Sequence, residues 1–122
     1  THCQIENNDE IIDMLTKKGF TSYRVEELSI EEQIYLFNEA SIIVGAHGAA
    51  FTNIIFCKPE TKIIEIIPES HPSKKCQRIS KILKLRYKRI TTTETNKDKN
   101  FPFNILLNKK NLNEIENIID LN

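Results

Sequence analysis

Two continuous apolar runs constrain this chain more than any other feature: SIIVGA at residues 41–46 and TKIIEIIP at residues 61–68. Neither alternates polar with apolar residues, so neither suits a strand with one face in water. Both suit strands covered on both faces, the habit of parallel sheets. The segments around them carry helical spacing instead. In NNDEIIDMLTKKGF, Ile11, Ile12, Met14 and Leu15 form a helical stripe, polar residues 7–9 suit its start, and Gly19 suits its stop. Phe20 is placed to fold back on Leu15, as in a Schellman ending.

Ser29 and Glu32 form a capping box ahead of a helix that runs to Ala40, with Ile30, Ile34 and Phe37 on one face. AAFTNIIF reads as a short apolar helix ended by Pro59. Ser73 reads as the cap of a helix with Cys76, Ile79, Ile82 and Leu83 turned inward. TSYRVEEL, where Tyr23 and Val25 alternate, and RYKRITTT read as further strands. TETNKDKN follows as a polar loop, and a last helix spans about residues 112–121 behind Asn111 as cap. Strands alternating with helices define an α/β domain: a Rossmann-like parallel sheet of about four strands, flanked by helices.

At 122 residues the chain makes one such domain, able to bury roughly two-thirds of its unfolded surface. It opens with Thr1, which suggests a piece of something longer. Hydrophobic residues at 39% and charged residues at 28% exclude both a membrane-embedded and a disordered chain. No run approaches the ~18 apolar residues of a spanning helix, and the opening residues do not read as a signal peptide. Seventeen basic residues against seventeen acidic ones leave no electrostatic footprint for nucleic acid. The basic residues from Lys74 to Arg89 read as the solvated face of a helix and the strand after it. Cys3, Cys57 and Cys76 are too far apart for a CxxC motif, and their odd number points to a reducing compartment. Cys57 and Cys76 read as small core residues.

In open α/β sheets, ligands bind beyond the carboxyl ends of the strands. GAHGAA, residues 45–50, falls at such an end, and it holds two of the chain's three glycines. Glycine serves where φ is positive or where another group must come close. The following helix would offer free backbone N–H groups from Gly48 through Ala49 to Phe51, a setting that suits an anion and above all a phosphate. His47 would donate to a diphosphate. Asn53, one turn on, would brace the loop or reach the ligand. Glu65, the lone charge among apolar neighbours, would accept from a ribose. The structural alternatives are a tight turn for the glycines, a satisfied core histidine, and a rim carboxylate without a ligand. GxxxxGK[ST], GxGxxG and GxSxG are all absent. His71, beside Pro72, reads as an exposed loop residue. Zinc held by His47, His71 and Cys76 lacks any ligand-pair spacing, so no metal is expected.

The stretch EELSIEEQIYLFNEASIIVGAHGAAFTNIIFCKPETKIIEIIP resembles the C-terminal half of the DUF563 glycosyltransferases, family 61. The likeness covers roughly residues 5–90. It implies a GT-B architecture in which this domain, residues 1–122, is the C-terminal donor-binding half of a two-domain protein. It also implies a metal-independent, inverting transferase that uses a UDP-sugar. The expected acceptor is a glycan or protein held by a further N-terminal domain, so the domain alone is expected to be inactive. A cytoplasmic role in surface or capsular polysaccharide synthesis, with membrane association through other parts of the parent, is the expectation for that protein. Three departures stand out. THCQIENNDE replaces an arginine-rich approach to the first helix, although Asn7 or Asn8 keeps an asparagine there. Ala50 replaces the last glycine of HGAG, and Glu60 replaces the glycine after Pro59. These departures frame an alternative: a degenerate, non-catalytic module with a structural or protein-binding role.

Overall fold

The structure, a computed structural model, describes residues 3–5, 8–71, 73–94 and 103–121. Strand β1 (Cys3–Ile5) leads into helix α1 (Asn8–Lys17), whose first turn carries Asp9 and Glu10 at the positive end of its dipole. α1 ends as its sequence predicts. Gly19 takes φ +92°, the Phe20 N–H donates to the Leu15 carbonyl, and the Gly19 N–H donates to that of Thr16, each at 3.0 Å. That pair of bonds is the Schellman motif.

Helix α2 (Ile30–Glu39) starts from the expected capping box, with reciprocal 3.1 Å bonds between Ser29 and Glu32. Strand β2 (Ile42–Ala46) is followed by a 3₁₀ helix over Ala49–Phe56 and by strand β3 (Lys62–Pro68). Helix α3 (Lys75–Leu83), strand β4 (Arg86–Glu94), strand β5 (Phe103–Leu106) and helix α4 (Lys109–Asp120) complete the described chain.

The sheet order is β1-β5-β4-β3-β2. β2, β3 and β4 are parallel, with Gly45 opposite Glu65 and Glu65 opposite Arg89. Helices cover both faces. Ile64, Ile66 and Ile90 pack on one side with Ile11 of α1 and Ile115 of α4. Ile63 packs on the other with Phe37 of α2, Phe51 and Ile54 of the 3₁₀ helix, and Cys76 of α3. All seven residues of β3 are buried, so its apolar run is the centre of the domain. Lys62 opens that strand and is buried too. Its ammonium donates to the carbonyls of Ile118 and Leu121 at 2.7 and 2.6 Å, which places a cation on the negative end of α4.

The α/β class with its parallel core is therefore as the sequence predicts, and several elements differ in detail. Residues 21–28 form no strand. The Gln33 side-chain amide donates to the carbonyls of Val25 and Leu28, each at 3.0 Å, and a single 3₁₀ turn forms at Val25–Glu27. β2 is half-buried rather than buried, because it lies at the end of the sheet order and pairs only with β3. Ile30 (75% exposed), Ile34 and Ile82 (78%) face outward, so Phe37 carries the α2 side of the core, and Cys76 with partly buried Ile79 and Leu83 that of α3. Lys74, not Ser73, stands at the cap of α3, and the Ser73 hydroxyl accepts from the Lys75 N–H at 3.4 Å. α4 begins at Lys109 with Asn108 as cap. Asn111 sits at its third position, in a box of mutual Asn–Asn bonds.

β1 and β5, three and four residues long, leave no strand pattern in the sequence. β5 runs antiparallel to the end of β4, so the sheet is mixed. Of the polar tract at residues 93–100, Thr93 and Glu94 belong to β4, and the remainder lies outside the described residues.

Candidate functional site

The loop from Gly45 to Ala50 lies at the carboxyl end of β2, where the topology predicts a site. Its two glycines have different reasons. A Cβ at Gly45 would lie 2.8 Å from Cε2 of Phe51, so the glycine lets that ring pack against the strand. Gly48 has φ 171° and ψ 175°, extended backbone open to any residue, and a Cβ there would meet nothing within 4 Å. Nothing inside the described fold requires glycine at residue 48.

The helix after the loop is 3₁₀ throughout. Its first bond runs from the Phe51 N–H to the Gly48 carbonyl at 3.1 Å, so Phe51 is removed from the expected set of free donors. The N–H groups of exposed Ala49 and Ala50 remain ahead of that bond. Asn53 braces: its amide donates to the Gln33 side chain at 2.8 Å, and the Gln33 amide in turn holds residues 25–28. Asn38 donates to the Phe56 carbonyl at 3.1 Å. These bonds fasten the 3₁₀ helix to α2 at about 1 kcal/mol each.

His47 and Glu65, singled out separately in the sequence, form one buried pair. Nδ1 of His47 lies 2.7 Å from Oε2 of Glu65, with the two residues 8% and 1% exposed. The Tyr87 hydroxyl donates to Oε1 of the same carboxylate. Glu65 is thereby engaged on both oxygens. It lies buried rather than at a rim. The His47 N–H donates to the Ile66 carbonyl at 2.8 Å, fixing the backbone as well.

Two further groups face the pair. The His71 ring lies 4.4 Å from that of His47, and His71 is half-buried rather than exposed. Arg89 donates to the carbonyls of Ser73 and His71 at 2.8 and 3.0 Å, pinning the loop after β3. Burial, with Glu65 beside it, pushes the Cys76 thiol up to about 12. Burial first, and then the bond to Glu65, raises the Tyr87 phenol as well.

The donor atoms of His47, Glu65 and Cys76 lie within 4.8 Å of one another, a proximity that linear spacing could not reveal. The 2.7 Å separation of His47 and Glu65 is a hydrogen bond, whereas two ligands of a tetrahedral zinc stand about 3.3 Å apart at the usual bond lengths. The cluster is a hydrogen-bonded network around one carboxylate. Beside the loop, a cavity of about 720 Å³ runs from Gly45 and Ala50 along β2 to Ile12 and Leu15 of α1. Small-molecule sites commonly have volumes of ~300–1,000 Å³.

A Rossmann-like α/β domain that carries a glycine–histidine loop at its strand ends is thus the class that the fold and the loop define. The Glycosyltransferase 61 family model matches residues 1–64, and the chain belongs to that family. A beta-1,2-xylosyltransferase of Oryza sativa subsp. japonica is 42% identical over 40 residues, 33% of this chain and 8% of that protein. A xylan glycosyltransferase of Arabidopsis thaliana is 36% identical over 67 residues, covering 52% and 14%. An alpha-1,3-arabinosyltransferase of Oryza sativa subsp. japonica is 33% identical over 66 residues, covering 51% and 11%. The chain spans about a tenth of the length of these curated relatives. No solved structure matches it. Among the described residues, no helix is long and apolar enough to cross a membrane.

Proposed function

We propose that this domain is the donor-binding part of an inverting, GT-B-type glycosyltransferase and holds the diphosphate of a UDP-sugar at residues 45–50. Gly48 carries the reading: its backbone is unstrained and its missing side chain faces open space, which leaves close approach by a ligand as the reason for glycine. The Ala49 and Ala50 N–H groups stand ahead of the first helical bond, next to His47 in the same loop. The adjoining cavity supplies room for the rest of a nucleotide. The relatives are named for xylosyl and arabinosyl transfer and come from plants. A pentose donor and a plant-type glycan acceptor therefore have more support than bacterial capsule synthesis. In this reading the transfer needs no resident metal, and the acceptor is held by parts of the protein beyond this chain.

The helix dipole contributes about 0.3–1 kcal/mol, and up to ~2 when partly buried. A dissociation constant of 100 μM requires about 5.5 kcal/mol. No arginine stands in THCQIENNDE to make up the difference, so binding by this domain is expected to be weaker than about 100 μM. Ligand-observed NMR with UDP, GDP and CMP at millimolar concentration tests this. Saturation transfer to UDP that GDP and CMP fail to displace supports the proposal, and equal transfer to all three, or to none, overturns it. The competing reading, a structural module for a partner protein, rests on Gly45, whose missing side chain serves Phe51. It predicts no nucleotide binding.

A further inference from the structure

We infer that Glu65 fixes the tautomer of His47, so that the domain accepts a diphosphate only by taking up a proton on that ring. The inference rests on the reading of residues 45–50 as a diphosphate site. A carboxylate offers only acceptors. Oε1 of Glu65 receives the Tyr87 hydroxyl, and Oε2 lies 2.7 Å from Nδ1 of His47, so Nδ1 carries the hydrogen. In a neutral imidazole the other nitrogen, Nε2, is then itself an acceptor. Among the described residues, the hydrogen bond of the His47 ring runs through Nδ1 to Glu65. A phosphate oxygen is also an acceptor, so a neutral His47 in this tautomer has no ring donor to offer a diphosphate at residues 45–50.

One proton on Nε2 removes the conflict. The imidazolium donates through Nδ1 to Glu65 and through Nε2 to a phosphate oxygen, in two charge-assisted bonds. The proton comes from solvent, and no covalent bond to carbon or phosphorus changes. The titratable and charged groups around the His47–Glu65 pair come from β3, β4, α3 and the loop between β3 and α3. They are Glu65 of β3, Tyr87 and Arg89 of β4, Cys76 of α3, and His71 of the loop between β3 and α3. The 3₁₀ helix adds none, since Ala49–Phe56 holds no ionisable side chain. Arg89 keeps its charge while donating to two backbone carbonyls, and Glu65, bonded to the ring, is the anion beside it. Glu65 is therefore a positioning residue that acts through His47.

The test uses the full chain and UDP-xylose, whose diphosphate is esterified at both ends and does not itself titrate near neutral pH. The dissociation constant, followed by amide shifts, is expected to rise as the pH is raised from about 6 to about 8, because one proton is taken up together with the ligand. Imidazole ¹⁵N correlations are expected to show the Nδ1–H form of His47 without ligand and protons on both nitrogens with it. Glu65→Gln should abolish the Nδ1–H preference and flatten the pH dependence of binding, because a neutral ring can then donate from Nε2. Tyr87→Phe keeps the carboxylate and should keep both the tautomer and the pH slope. If instead it loses them, or if wild-type affinity is independent of pH with His47 in the Nε2–H form, the inference fails while the diphosphate site stands. Absence of binding at every pH overturns both.

Discussion

A methyl group at Gly45 would press on the Phe51 ring, and one at Gly48 would touch nothing. The two glycines are three residues apart, yet their substitutions should report on different properties. Gly45→Ala forces a buried ring to move, and its expected cost is about 1–3 kcal/mol in urea unfolding. Gly48→Ala should leave stability within about 0.5 kcal/mol of the parent, because extended backbone accepts alanine without strain. Loss of stability at Gly48 would mean that its surroundings are tighter than the structure shows. In the sequence the two looked equivalent, since close approach by a residue six positions on cannot be told from approach by a ligand. Glu65 was legible as an acid out of place, but its partner was not. Only the register that sets Gly45 beside Glu65 brings the end of β2 to the middle of β3.

At the scale of elements, patterns that act locally were legible. The capping box at Ser29, the glycine stop at Gly19 and the buried run of β3 all depend on neighbours in sequence. Patterns that depend on a distant partner were not. The alternation at residues 21–28 suits a strand, but Gln33 occupies two carbonyls that a strand would need for pairing. β1 and β5 are too short to show a period at all.

One departure from the family pattern gains a physical meaning here. Glu60 has φ +73°, and the Thr61 N–H donates to the Lys58 carbonyl at 3.3 Å. With Pro59 between, this is the arrangement of a type II turn, whose third position favours glycine. Glu60→Gly should therefore stabilise the domain, by about 0.5–1 kcal/mol after the entropy cost of glycine is offset. A lower unfolding midpoint in that variant would contradict the assignment of strain to this turn.

At the scale of the whole molecule, the two faces of the sheet differ in chemistry. The α1–α4 side is a cluster of apolar side chains, and the α3 side surrounds the Glu65 network. Burial pushes the Cys57 thiol up to about 11 and, with Glu65 beside it, that of Cys76 to about 12. Both are acids whose pKa is higher in the fold than in the unfolded chain, where thiols ionise near 8.5. Their contribution to stability is fully present below about pH 8.5, and it is lost progressively as pH rises toward 11–12. Urea unfolding at pH 7, 9 and 10.5 should show falling stability across that window, and a flat or rising profile would refute the burial of these thiols. In a Cys3→Ser background, both thiols should also resist labelling until the chain unfolds.

The central claim is that the backbone at residues 48–50 receives a diphosphate. The most direct measurement is an amide NMR titration with UDP, run in parallel on the wild-type chain and on Gly48→Ala. UDP-dependent shifts are expected at Gly48, Ala49 and Ala50 in the wild type, with weaker binding in a variant that is equally stable. Shifts confined to other surfaces, or identical affinity in the two proteins, would contradict it.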